Sequence, residues 1–393
     1  MNLIKRLLLM AILIFITTGM IYAFDFGLNM SNGGGFSSLE KPDWFTENKE
    51  NFWFRLPFDN STNNYITAAG SVYTIKPVLE SFSYYADLDL LHFSLLPVSE
   101  DTFSIGFTAG RMAVSDVTGF VLNQTLDGLE FDSSFKFGNV NFMTGYTGLL
   151  NARENDATMS IDDYQDANTD AIYALGSSRL IGKLTIQIPQ FIGNAELVAE
   201  GIGQYDMRRF LETNPAELID TAYGTLSLNG ALANNLFYSV SGTYQAGITE
   251  NNKTTTENST IASIRFDSFI SENNRMFAQF IYTPGSNDYF GEFLPVTFQT
   301  AGTLYTKGYD SLMKASAGWR FNPFEFVNVD FGGNVFLLSN VTAKQDMYNA
   351  TEILSGATFR ISQELKLRLD TSLLFPNEED LQYQASLKAI LEL

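Results

Sequence analysis

Cysteine is absent from this sequence and histidine occurs once. Without thiols there is no thiolate zinc site, iron–sulfur cluster, cysteine nucleophile or disulfide framework. The single His92 excludes every paired-histidine metal motif and leaves room for at most one Ser-His-Asp triad, and no serine stands at a telling spacing from it. Positive charge is scarce as well: 24 Lys and Arg stand against 44 Asp and Glu, a formal net charge of −20. A chain this acidic lacks the basic footprint that a phosphate backbone requires, so nucleic acid is excluded as a partner. No phosphate loop, dinucleotide fingerprint or G-x-S-x-G elbow is present. The carboxylates between residues 149 and 171 (Glu154, Asp156, Asp162, Asp163, Asp166, Asp170) do not follow the calcium-loop spacing with its central glycine. The expectation is therefore a protein with no catalytic residues, no metal, no cofactor and no enzyme activity.

What is present is 45% hydrophobic and 14% aromatic residues, with 34 Phe and 18 Tyr. The N-terminus reads as an export signal. Lys5 and Arg6 precede an apolar stretch from Leu7 to Ile16, and Ile21 and Ala23 occupy the −3 and −1 positions of a signal-peptidase site. That places a signal peptide over residues 1–23 and one domain over residues 24–393. After Phe24 no apolar run approaches the roughly 18 residues of a spanning helix. An exported chain without such a helix is either soluble or a barrel.

Periodicity favours the barrel, because a lipid-facing strand alternates apolar and polar residues over about 10 positions. Leu381, Tyr383, Ala385, Leu387, Ala389, Leu391 and Leu393 alternate with Gln382, Gln384, Ser386, Lys388 and Glu392, and only Ile390 breaks the pattern. Leu365, Leu367, Leu369 and Leu373 alternate with Lys366, Arg368, Asp370 and Ser372. Connections between such segments are short and long in strict turn, as in an antiparallel up-and-down barrel with short periplasmic turns and longer extracellular loops. The count is about 18 strands, with 16 as the alternative, and both termini on the periplasmic side. Around Asp87, Leu88, Asp89 and Leu90 the alternation slips phase, as a β-bulge would cause.

Aromatics and charges then sort by face. Tyr146, Tyr205, Tyr244 and Tyr282 share the lipid-facing parity near the extracellular strand ends and form a membrane-interface girdle, while Phe137, Phe191, Phe321 and Phe324 flank the tight turns. The opposite face lines the lumen. Its basic members are Arg265, Lys314, Arg320, Arg360, Lys366, Arg368 and Lys388, and its acidic members are Asp87, Asp89, Glu130, Asp132, Glu196 and Glu200. Asp267, Asp330 and Asp370 are candidate local partners of Arg265, Lys314 and Lys366. Opposed basic and acidic walls create a transverse field that orients polar solutes. A barrel this wide is not filled by side chains, so a channel or an inserted loop is expected. Loop candidates are residues 149–171, residues 284–308 and the segment from Asp206 to Asp220, whose Arg208, Arg209, Glu212 and Glu217 suit a short helix in the mouth.

The segment Ala109-Gly110-Arg111-Met112-Ala113-Val114-Ser115-Asp116-Val117-Thr118-Gly119, followed by Leu126-Asp127-Gly128-Leu129, resembles outer-membrane porins of the substrate-specific and alginate-export type. In those families a strand ending in Gly-Arg leads into an outer loop and a returning Asp-Gly strand. The chain departs from them in ending on Leu393 rather than Phe or Trp. The resemblance implies a porin-like channel in the outer membrane of a diderm bacterium, for passive diffusion of small polar solutes, anionic or zwitterionic ones above all. Partners would be outer-membrane lipid, the solute and the barrel-assembly machinery, and a homo-oligomer stays open. Two alternatives remain: a surface adhesin or structural barrel with a closed lumen, and a transporter of hydrophobic compounds of the long-chain fatty acid type, plugged by the stretch from Gly33-Gly34-Gly35 to Asn51. N-terminal sequencing of the mature protein should begin at Phe24; a chain that keeps Met1 would refute the export signal.

Overall fold

The computed structural model describes residues 25–38, 43–57, 63–76, 82–100, 102–149, 157–167, 174–212, 215, 217–251, 253–285, 291–340 and 347–393. The signal peptide expected over residues 1–23 lies outside these residues. The strands are β1 (Asp25–Ser37), β2 (Asp43–Pro57), β3 (Tyr65–Lys76), β4 (Ser83–Glu100), β5 (Phe103–Ser115), β6 (Asn123–Phe135), β7 (Gly138–Tyr146), β8 (Arg179–Ile192) and β9 (Ala195–Asp206). The second half contributes β10 (Leu218–Ala233), β11 (Leu236–Asn251), β12 (Lys253–Ser271), β13 (Asn274–Tyr282), β14 (Leu312–Phe324), β15 (Val327–Leu338), β16 (Tyr348–Arg360), β17 (Leu365–Pro376) and β18 (Gln382–Glu392). Two short helices lie in connections, α1 (Ile161–Ala167) and α2 (Arg208–Leu211).

All 18 strands belong to one sheet in which each pairs with its sequence neighbour, and β1 pairs with β18 to close it. The closing seam runs from Asn29 opposite Glu392 to Ser37 opposite Gln384. Closure leaves no open strand edge, so each strand has a neighbour on both sides for its ladder N–H and C=O groups. The 16-strand alternative is ruled out. So is the plug between Gly33 and Asn51: Gly33, Gly34 and Gly35 pair with both β2 and β18, and Asp43 to Asn51 lie within β2, so the described residues of this stretch are barrel wall. The phase slip near Leu88 is a bulge, because β3 advances from Ala69 to Ser71 while β4 goes from Leu90 to Asp87.

Burial is inverted relative to a soluble sandwich. Leu226 is 61% exposed, whereas its neighbours Thr225 and Ser227 are 3% and 4% exposed. Leu369, Leu373 and Leu387 in the C-terminal strands are likewise exposed. The apolar face therefore looks outward, as in a barrel surrounded by lipid.

Gly110 is among the wall positions that demand glycine. Gly110, in β5, has φ +121°, and a Cβ there would run into the Leu91 carbonyl of β4. Only glycine tolerates this backbone without strain. Gly110→Val should cost on the order of 1–3 kcal/mol or more and lower the temperature at which the folded barrel loses its compact mobility in cold SDS gels; an unchanged transition would show that the wall relaxes freely at this point.

Candidate functional site

An 18-strand ring encloses more space than wall side chains fill, and two connections fold into it. The first is the turn at 116–122, between β5 and β6. An inserted turn must satisfy its own backbone, since water is largely excluded. Asp116 does this locally: one carboxylate oxygen accepts from Val121 N (3.0 Å) and Leu122 N (2.8 Å), the other from Thr118 N (2.9 Å) and the Thr118 hydroxyl. Asp116 N donates to the Leu122 carbonyl, and Gly119 supplies the positive φ of +73°. Val121 and Leu122 are consequently fully buried against Met143, Ile181, Ile202 and Ile281 of the wall. From the wall, Glu200 accepts Val117 N at 3.0 Å, and Lys183 donates to the Ser115 carbonyl at 2.9 Å.

The second connection, residues 291–311, crosses from β10 and β11 toward β14 to β16. Gln245 brackets it, accepting Leu294 N (2.8 Å) and donating to the Glu292 carbonyl (3.3 Å), and Tyr223 donates to the Leu294 carbonyl (2.5 Å). It joins the first turn through Thr297 N to the Val121 carbonyl (3.0 Å) and Gln299 Nε2 to the Gly119 carbonyl (2.6 Å). Farther along, Glu352 accepts Leu304 N (2.6 Å), Lys314 donates to the Ala301 carbonyl (2.5 Å), and Tyr305 stacks on Phe336 at 4.0 Å. Glu292 keeps its proton to higher pH than an ordinary carboxyl, because it is desolvated and faces Asp310 and Glu257.

A third segment, 157–167, is pinned by a buried ion cluster. Ser160 caps α1, and Asp163 accepts Met159 N and Ser160 N, each at 2.9 Å. Asp163 also binds Arg179 at 2.5 Å and Arg208 at 3.5 Å, while Asp206 lies 2.7 Å from Arg208 and 3.4 Å from Arg179. Burial alone disfavours the Arg208 charge, but its Asp206 hydrogen bond and Asp163 outweigh that and raise its pKa. Two guanidinium groups and two carboxylates thus neutralise one another out of water, with Asp162 at 3.4 Å from Arg208.

Residues that bond the inserted connections define the inner face, and strand alternation carries that face along the wall. By this measure Arg265, Lys314, Arg320, Arg360, Lys366, Arg368 and Lys388 share it. The partners inferred from sequence are only partly those observed. Arg265 does bind Asp267 (2.8 Å), which also takes Arg275 (2.8 Å), an inner residue that sequence reasoning omitted. Asp330 and Asp370 bind neither Lys314 nor Lys366 but converge on Arg368, at 3.5 and 2.7 Å. Lys366 pairs with Glu392 (2.7 Å) and Lys388 with Glu47 (3.5 Å). Among the described residues Arg320 and Arg360 have no ion pair, and with Lys366 they border a cavity of about 280 Å³ near the tight-turn end.

The acidic set is held mainly by neutral donors. Asn141 donates to both Glu130 (2.7 Å) and Asp132 (2.5 Å), Gln187 to Glu196 (2.6 Å), and Thr185 to Glu200 (2.8 Å). Asp89 accepts from Asn51 (2.5 Å) and Ser71 (2.7 Å), whereas Asp87 lies 4.0 Å from Arg111, which pairs at 3.3 Å with Asp127. His92 has its Nδ1 3.2 Å from the Arg111 carbonyl and its ring edge toward Tyr65, which is a wall contact. Tyr205, Tyr244 and Tyr282 are exposed on the outer face, and the Tyr146 hydroxyl donates to Ser178 at 3.0 Å.

The inserted connections pack on the wall from β5 round to β17. Opposite them a cavity of about 720 Å³ remains beside β2, β3 and β4, bounded on its far side by Ala113, Gln124 and Thr125, which flank the first inserted turn.

The closed 18-strand architecture is shared with outer-membrane proteins of known structure. The sequence matches no family model and no curated protein. Solved structures that share the fold include OccK2 (OpdF) of Pseudomonas aeruginosa, at TM-score 0.64 and 11% identity over 94% of this chain and 98% of that one. OpdK of the same organism gives 0.63 and 9% over the same shares, and it has also been solved with vanillate. OccAB4 of Acinetobacter baumannii gives 0.58 and 10% over 95% of this chain and 98% of that one.

Removing the carboxylate that holds α1 should release its segment. Asp163→Ala leaves Arg208 and Arg179 short of one partner, a loss of about 3–5 kcal/mol for a buried pair. Limited proteolysis should then cut within residues 157–167 while the barrel keeps its folded gel mobility; continued resistance would mean that the cluster does not hold the segment.

Proposed function

We propose that this protein is an outer-membrane channel through which small polar solutes diffuse passively, with anions favoured. The carrying observation is the asymmetry of the lumen: two inserted connections narrow it from one side and leave the space beside β2 to β4 unfilled. A closed structural barrel has no need for this arrangement. The basic residues named above, with Arg275, would line the pore from mid-height to the tight-turn end, and the acidic set would line the facing wall. Arg320 and Arg360 carry the electrostatic weight of the stripe, because carboxylates partly offset Arg265, Lys366, Arg368 and Lys388. Unpaired guanidinium groups facing water attract anions without a desolvation penalty. The solute moves down its own gradient, and no energy source is required of the chain. Tyr146, Tyr205, Tyr244 and Tyr282 would anchor the outer membrane interface, where amphipathic rings sit at headgroup level.

Two further readings receive less support. A hydrophobic-compound carrier needs an apolar internal pocket and an N-terminal plug, whereas Gly33–Ser37 and Asp43–Asn51 form wall and the larger cavity sets Lys49, Asn51, Asp87, Asp89 and Gln124 beside its aromatic rings. An adhesin with a closed lumen makes no use of a basic stripe.

Planar-bilayer recordings of the refolded mature protein in a potassium chloride gradient test the proposal. Stable ohmic steps with anion preference are expected. Reversing charge at Arg320→Glu, Arg360→Glu and Lys366→Glu together should shift the reversal potential toward cations. No conductance from a folded barrel would overturn the channel, and an unmoved potential would overturn the basic filter.

A further inference from the structure

The cavity beside β2 to β4 differs in chemistry from the basic stripe. It is lined by the rings of Trp53, Tyr73 and Tyr85, and by Asn51, Asp89 and Gln124. Tyr73 and Tyr85 face each other across the β3–β4 ladder, with centroids 5.1 Å apart and planes at 24°. The Trp53 indole lies over Gly27, where a Cβ would sit 2.7 Å from the ring. That glycine lets the indole pack flat against the wall.

The charged groups in this cavity already have protein partners. Asp89 accepts from Asn51 and Ser71, Lys49 stands 4.6 Å over the Tyr73 ring, and Asp87 lies beside Arg111. A carboxylate with two neutral donors still has lone pairs to offer, so the site keeps directional acceptors. Gln124 shows what it lacks: both ends of its amide, the oxygen and the nitrogen, are buried and have no hydrogen-bond partner among the described residues. An amide left unpaired at both ends is costly unless something else completes it.

We propose that this cavity is a binding subsite for neutral pyranose sugars. The proposal rests on the channel reading for its access but not for its chemistry. A pyranose has apolar C–H faces that pack on flat aromatic rings, and equatorial hydroxyls that donate and accept at once. Gln124 would meet one hydroxyl pair and the Asp89–Asn51 pair another. The volume suits a disaccharide-sized solute, being within the roughly 300–1,000 Å³ of small-molecule sites. An ammonium ligand would use the rings too, but it would leave the Gln124 nitrogen without an acceptor.

The test uses the mature protein carrying Trp44→Phe and Trp319→Phe, which leaves Trp53 as the sole tryptophan reporter of the three. Maltose should quench or shift Trp53 fluorescence saturably in detergent micelles and interrupt single-channel current in bilayers. Gln124→Ala, which breaks no side-chain hydrogen bond among the described residues, should weaken both responses about tenfold, the loss of one or two hydrogen bonds. Tyr85→Ala should weaken them further. A conducting channel indifferent to maltose overturns the sugar site and leaves the channel standing. A response to choline chloride but not to maltose overturns it in favour of a cation cage. A saturable fluorescence response from a non-conducting barrel supports the sugar site while the channel reading falls.

Discussion

The pairing of β1 with β18 is the constraint from which the rest of the molecule follows. An open sheet of this size would expose two ladders of unpaired backbone groups and one whole apolar face. Closure satisfies the backbone and turns the apolar residues outward, which is why Leu226 is exposed while Thr225 and Ser227 are buried. Closure at 18 strands also fixes a circumference, and with it an interior that wall side chains do not fill. The inserted connections are the consequence.

Backbone carried into that interior has to bring its hydrogen bonds with it. The structure meets this demand with side chains placed one at a time. Asp116 closes the first turn on itself, Gln245 accepts and donates to successive peptides of the second connection, and Glu352 holds Leu304 N. Once the polar groups are satisfied, Phe120, Val121, Leu122, Phe293 and Val296 can bury their apolar surface against the wall. A core has thus formed inside a barrel whose outer surface is also apolar. The Arg179, Arg208, Asp163 and Asp206 cluster serves the neighbouring segment in the same way, trading hydration for mutual charge compensation.

The lumen left over has two chemistries. Toward the tight turns Arg320 and Arg360 have no ion pair among the described residues, and the proposed basic stripe would centre on them. Beside β2 to β4 the charged groups have protein partners, and rings, amides and hydroxyls lie among them. A solute crossing the barrel would meet orientation by shape and hydrogen bonding at one height and by charge at another. Narrowing from one side makes both compulsory, since the path runs along the uncovered wall.

The strands, their number and their facing were legible because alternation with a period of two is a local property of the chain. The basic stripe proposed for the lumen rests on the same property, since parity along β14 places Arg320 on the face of Lys314, while the register between strands brings Arg360 to that face. The ion-pair partners were not legible: Asp330 and Asp370 converge on Arg368, a choice made by register between strands rather than by spacing along one. The inserted turn left a trace in the Asp116-Val117-Thr118-Gly119 sequence and the apolar Phe120-Val121-Leu122 that follows, an unusual run for an exterior loop. Nothing local brings Lys49, Trp53, Tyr85 and Gln124 around one cavity, because they come from three strands, β2, β4 and β6. By itself the sequence determined the barrel, its sidedness and which faces are polar, for these depend on each residue's immediate neighbours. Only the tertiary structure decided which connections turn inward, which charges cancel and where space remains, because each depends on contacts between segments far apart in the chain.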